Sequence, residues 1–241
     1  MSKEIEFCRR ENGLTIRFLA QCLFNDIIFP NQDGINKLMS MARDGSGKAV
    51  VKPNDLKWEY WFLFHMEDFE SKDKSEIDIL LRRGETLFAI EIKAFTDPNA
   101  PKVKRELVRN YLKLNEIKEN KDLFTPVTDI IPILLYSKEV HLHIHKSAKE
   151  SRVKDEYNYF NSDFLLKMGY QQRLNMEYPD TKRADVEKTS EKLLFLNWND
   201  VLKAIECLNT NKRFDSTIKE IKSKKDTFKF KCDLVSKNLS Q

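Results

Sequence analysis

Paired cysteines, long apolar runs and linker-like stretches are all missing from this sequence. Its four cysteines stand at 8, 22, 207 and 232, with no CxxC pair among them. That spacing suits neither a zinc ribbon nor a compact disulfide framework, and scattered thiols in a lysine-rich chain point to a reducing compartment. The longest apolar stretch, residues 130–136, is interrupted by Pro132 and is too short to cross a bilayer. The opening MSKEIEF has no apolar run of the kind a signal peptide needs. The expectation is a soluble cytoplasmic protein with no membrane partner. No internal repeat, low-complexity linker, zinc finger or helix-turn-helix signature is present. The loop Asp44-Gly45-Ser46-Gly47-Lys48 is not a phosphate cradle either: no glycine stands five positions before Gly47, and Ala49 replaces the hydroxyl that would meet magnesium.

What is present is enough apolar material for a folded core. The 241 residues are 41% hydrophobic and 11% aromatic, with a net charge of +4. This composition belongs to a globular chain, and the mild positive charge permits a polyanionic partner without demanding one. Periodicity predicts an amphipathic helix over 11–25, with Glu11 in its first turn, and a second over 35–43. Residues 58–66, WEYWFLFHM, read as a strand, followed by two short apolar strands at 77–81 and 87–92 joined around Gly84. Three consecutive strands predict an antiparallel meander. A helix over 103–117 and a buried strand over 130–136 follow, so the fold class is α/β with a mixed sheet.

Beyond residue 146 the pattern changes to a mostly helical C-terminal extension, 147–241, packed on the 1–146 core or merged with it as one domain. It carries a helix over 157–168 and a short strand at 193–196. Asn197 and Asp200 form a helix start leading into 201–208. His141, His143 and His145 alternate on one face of a predicted strand. A strand's rise separates the outer two too far for one tetrahedral ion, so they read as a polar edge. The lysine-rich tail around Phe228 and Phe230 reads first as a half-buried strand, and second as a surface for phosphates and stacked bases.

The chemistry concentrates in residues 75–95, SEIDILLRRGETLFAIEIKAF. Strand side chains alternate, so Glu91 and Lys93 share a face while Ile90 and Ile92 take the other. Charges in buried strands are costly unless they pair or hold a metal. One explanation is an ordinary ion pair within the sheet. The sharper one is a magnesium ion on Asp78, Glu91 and the Ile92 carbonyl, polarising a phosphodiester and lowering the pKa of a bound water. Lys93 would then orient or help activate that water and offset charge developing on the phosphate.

Asp78, twelve intervening residues and then Glu91-Ile92-Lys93 resembles the PD-(D/E)XK nuclease superfamily, which has the restriction-endonuclease-like fold. Element order agrees over roughly residues 11–136. The resemblance implies a mixed central sheet flanked by helices, catalysis by Asp78, Glu91, Lys93 and an extra glutamate, and Mg2+ as cofactor with Mn2+ as substitute. For the extra glutamate Glu11 is favoured and Glu59 is the rival. Glu76-Ile77-Asp78 stands where a Pro-Asp is conventional, and the glutamine-and-tyrosine helix motif survives only as Leu107 to Tyr111. Lys104, Arg105 and Arg109 on that helix would face DNA. The implied activity is a DNA endonuclease in restriction or phage defence. Pairing of two copies as a homodimer and association with other defence subunits are further implications. The alternative is a catalytically silent nucleic-acid-binding or assembly module of the same fold.

Overall fold

A computed structural model of the chain describes residues 32–52, 55–65, 76–93, 101–118, 126–136 and 179–208, with single positions 165, 176, 215 and 219. The predicted helix over 11–25 with Glu11, the histidine face at 140–145, the helix over 157–168 apart from Leu165, and the tail around Phe228 lie outside the described residues.

Helix α1, Gln32–Met39, precedes strand β1, Trp58–His65. Strands β2, Glu76–Arg83, and β3, Thr86–Ile92, form a hairpin around Gly84. Helix α2, Pro101–Ile117, leads to β4, Asp129–Tyr136. Helix α3, Arg183–Lys192, β5, Leu194–Asn197, and α4, Trp198–Leu208, complete the described elements. The five strands make one sheet in the order β1-β2-β3-β4-β5. The first three run antiparallel as predicted; β4 is parallel to β3 and β5 parallel to β4. The α2 crossover is what a parallel β3–β4 pair requires.

Both faces of the sheet are covered, which is why its central strands read as near-continuous apolar runs. One face carries Ile79, Leu81, Phe88, Ile90, Ile92, Ile133 and Leu135 against Ile35, Leu38 and Met39 of α1 and Val201 of α4. The other carries Leu80, Leu87, Ala89 and Ile130 against Tyr111, Leu114 and Ile117 of α2. Next to it, Leu134, Tyr136 and Phe195 pack on Val103, Leu107 and Val108 of α2 and Val186 of α3. Pro132 is tolerated in β4 because it lies one residue before the first rung to β5, where β4 has a neighbour on one side only.

Residues 194–197 join the core sheet rather than merely resting on it. β5 belongs to the segment after residue 147, yet it extends the sheet begun by β1–β4. Its outer edge is closed by Arg43, whose N–H donates to the Phe195 carbonyl (3.0 Å) and whose carbonyl accepts from the Phe195 N–H (2.7 Å). Asn197 caps α4 as predicted: its Oδ1 accepts from the Asp200 N–H at 3.1 Å, and the helix runs from Trp198, ahead of the predicted 201–208. The Asp44 loop is a local turn, with Asp44 Oδ1 accepting from the N–H groups of Ser46 and Lys48, both at 2.9 Å.

Candidate active site

The hairpin ladder stops where the charged residues begin. Rungs between β2 and β3 run from Arg83↔Thr86 to Ile79↔Ile90. The next pair would be Asp78 and Glu91. There the Asp78 side chain takes over from the backbone, its Oδ2 accepting from the Ile92 N–H at 2.7 Å. Beyond this point β2 stays with β1, through Phe64↔Ile77 and His65↔Glu76. β3 stays with β4, the Lys93 N–H donating to the Leu135 carbonyl at 2.7 Å. Asp78 and Glu91 therefore meet at the end of a two-strand ladder, with Lys93 two residues along β3 from Glu91.

Glu91 is 6% exposed and fully partnered. Its Oε1 accepts from Lys93 Nζ at 2.5 Å and its Oε2 from Asn110 Nδ2 of α2 at 3.1 Å. Lys93 Nζ also forms an ion pair with Glu106 Oε2 of α2 at 2.9 Å. The Lys93 carbonyl accepts from the Trp198 indole at 3.4 Å, tying this end of β3 to α4. Asp78 is half-buried and Ile92 fully buried, with the Ile92 side chain on the opposite, α1/α4 face.

Burial and like charge dominate the electrostatics. Desolvation, then the nearby Glu91 charge, push the Asp78 carboxyl well above the usual carboxylate range; the Ile92 N–H only partly offsets this. Burial also raises Glu91, against the lowering effect of Lys93, while Glu106 raises it further and Arg109 lowers it. Burial alone would depress Lys93, but the Glu91 and Glu106 carboxylates beside it hold its pKa well above that of an ordinary lysine. That keeps Lys93 in its charged, proton-holding form.

Among the described residues, no three His, Cys, Asp or Glu side chains converge as a ready-made metal cage. A zinc-like closed site is therefore not formed there. What the hairpin end offers is two carboxylates close enough for the Glu91 charge to raise Asp78. Magnesium takes one or two carboxylates and keeps most of its waters, so Asp78 and Glu91 fit such an ion.

The other predicted residues fall in different places. Glu59, the rival extra acid, pairs with Arg82 at 3.3 Å near the turn of the hairpin. Arg82 stands four positions along β2 from Asp78, roughly 13 Å at strand rise, so Glu59 is outside the site. Arg105 and Arg109 are half-buried on α2, whereas Lys104 is only 3% exposed. The expected basic stripe thus does not reach the surface at Lys104.

Two residues escaped the sequence reading, Glu106 and Asn110. The signal was there: Asn110 occupies the stripe Val103, Leu107, Asn110, Leu114 that faces the core, and Glu106 lies one turn before it. A polar residue in a core stripe needs a partner, and the charged end of β3 supplies one. Comparison with known protein families, curated proteins and solved structures finds no match for this chain.

Proposed function

We propose that this chain is a magnesium-dependent endonuclease with a restriction-endonuclease-like core, hydrolysing DNA phosphodiester bonds in a restriction or phage-defence setting. The observation that carries the reading is the meeting of Asp78 and Glu91 at the end of the β2–β3 ladder, with Lys93 held as a cation beside them. Asp78 and Glu91 would hold the ion. When bound, it would supply Lewis-acid polarisation of the phosphate and a water of lowered pKa. Asp78 is fixed in place by the Ile92 N–H, and Glu91 by Asn110. The Lys93 ammonium, kept charged by its carboxylate neighbours, would orient the attacking water and offset charge on the phosphate. Of Lys104, Arg105 and Arg109, the two arginines are half-buried on α2 and would be the phosphate contacts.

The test is cleavage of plasmid and single-stranded DNA with Mg2+, Mn2+ or EDTA. Wild type is compared with Asp78→Asn and Glu91→Gln, each checked for folding by circular dichroism. Metal-dependent cutting that both substitutions abolish is the expected result; cutting that survives either substitution overturns the site. One observation favours a second reading, a catalytically silent nucleic-acid-binding module: Lys93 already neutralises Glu91. Well-folded wild type that binds DNA, cuts nothing and takes up no Mn2+ would decide for that module.

A further inference from the structure

We propose that Glu106 of α2 is a positioning residue for the cation site: it takes over the Lys93 ammonium when Glu91 turns Oε1 to a divalent cation, while Asn110 keeps Glu91 anchored by Oε2. The inference rests on the nuclease reading and adds two residues and a switch of partners to it.

The two oxygens of Glu91 are not equivalent. Oε2 is held by a neutral amide, Asn110 Nδ2, from the buried side. Oε1 is held by Lys93 Nζ at 2.5 Å. An ammonium on Oε1 competes directly with any cation there, because it already supplies the charge that the carboxylate lacks. Glu91 can serve the ion only if Lys93 has another place for its charge. Among the described residues Lys93 pairs with two carboxylates, Glu91 and Glu106. Nζ lies 2.9 Å from Glu106 Oε2 already, so the handover requires only that one of two existing contacts be released. The other Glu106 oxygen faces outward, 3.7 Å from the exposed Lys102. Residues 106 and 110 are one helical turn apart, which lets α2 present both to the same end of β3.

The experiment is titration of Mn2+ by calorimetry, without DNA, into wild type, Glu106→Gln, Lys93→Gln and the double variant, with folding of each checked by circular dichroism. With Glu106 neutral, Lys93 has only Glu91 of the two, so Glu106→Gln is expected to weaken Mn2+ binding about tenfold, the scale of an outer-shell substitution. In the Lys93→Gln background there is no competing ammonium, and most of that loss is expected to vanish. Asn110→Ala is expected to weaken binding in both backgrounds, since it acts on Oε2 and not through Lys93. Equal losses from Glu106→Gln in both backgrounds would mean that Glu106 acts by its own charge, and the positioning role falls. No loss in either background also sinks it. Should Glu106→Gln fail to fold, Glu106→Asp keeps the charge and shortens the reach, and binding as tight as wild type would count against the proposal. Wild type that takes up no Mn2+ would remove the nuclease reading itself, and this inference with it.

Discussion

The two ends of the β2–β3 hairpin carry similar charged residues, but their carboxylates are buried to very different degrees. At the turn, Arg82, 12% exposed, pairs with Glu59, 59% exposed, and Arg83 lies over the Trp58 ring at 4.6 Å. At the open end, Glu91, Lys93 and Glu106 have side-chain exposures of 8, 12 and 13%. Exposed ion pairs are screened by water and contribute little. Buried ones lose solvation, and breaking one leaves an uncompensated charge. The turn end, whose acid stands largely in water, should therefore contribute less to the fold. The open end is held together by its own charges, and its cost to the fold is what makes it a candidate site.

The largest effect should come from removing the cation at the open end. Lys93→Met leaves Glu91 and Glu106 buried beside each other, and a loss of about 3–5 kcal/mol is expected. Urea unfolding near pH 7 without divalent ions measures it. The loss should shrink at acid pH, where a proton can replace the missing ammonium. A loss under about 1 kcal/mol would erase the difference between the two ends.

At the turn the cost is steric instead. Gly84 has φ 59°, and a Cβ there would stand 3.1 Å from Leu56 Cδ1. Gly84→Ala should cost about 1–2 kcal/mol through the left-handed backbone. Thermal melts across pH 5–8 should show that cost unchanged, because no titrating group is involved.

Asp78→Asn tests the open end from the other side. A carboxyl raised in the folded state stabilises below its unfolded value, near 3.8 here, and that contribution is lost as pH rises through the raised value. Wild type should lose stability across that window, whereas the variant should not. The amide oxygen that replaces the carboxylate can still accept from the Ile92 N–H. At pH 8 without metal, the variant should be the more stable by about 1 kcal/mol, in the range of other substitutions that relieve a functional site. Added Mg2+ should raise the melting temperature of wild type and not of the variant. A variant less stable than wild type at pH 8 would mean that the carboxylate is a structural fixture.

These expectations follow the line between what the sequence made legible and what it did not. Local signals were enough for the meander, the α2 crossover, β4 and the Asn197 cap, because alternation, helical spacing and a capping side chain act within a few residues. β2 ran longer than its apolar stretch, to Arg83, because both arginines are satisfied at the surface end. What was not legible was long-range. Four residues, Leu194–Asn197, gave a strand but not its place beside β4. Lys104, expected to face DNA, is 3% exposed, a burial that helical spacing alone does not reveal. Glu106 and Asn110 gained a role only once α2 was laid against β3, although Asn110's place in the core stripe hinted at a partner. Asp78, Glu91 and Lys93 were legible as a group because one hairpin brings them together.

The smallest effect, and the one that fixes the baseline for all the others, is the Arg82–Glu59 pair. Arg82→Ala alone is a poor probe, since Arg82 Nε also donates to the Gly84 carbonyl at 2.8 Å. A double-mutant cycle with Glu59→Ala cancels that term and isolates the pair. With Glu59 largely in water, a coupling of about 0.5 kcal/mol is expected, and high salt should remove most of it. The Lys93→Met loss should persist at the same ionic strength, because ions cannot reach a buried cluster to screen it. If the Arg82–Glu59 coupling instead exceeded about 2 kcal/mol and resisted salt, charge would be equally costly to disturb at both ends of the hairpin. Burial would then no longer single out the Asp78 end as the one whose charges need a ligand to explain them.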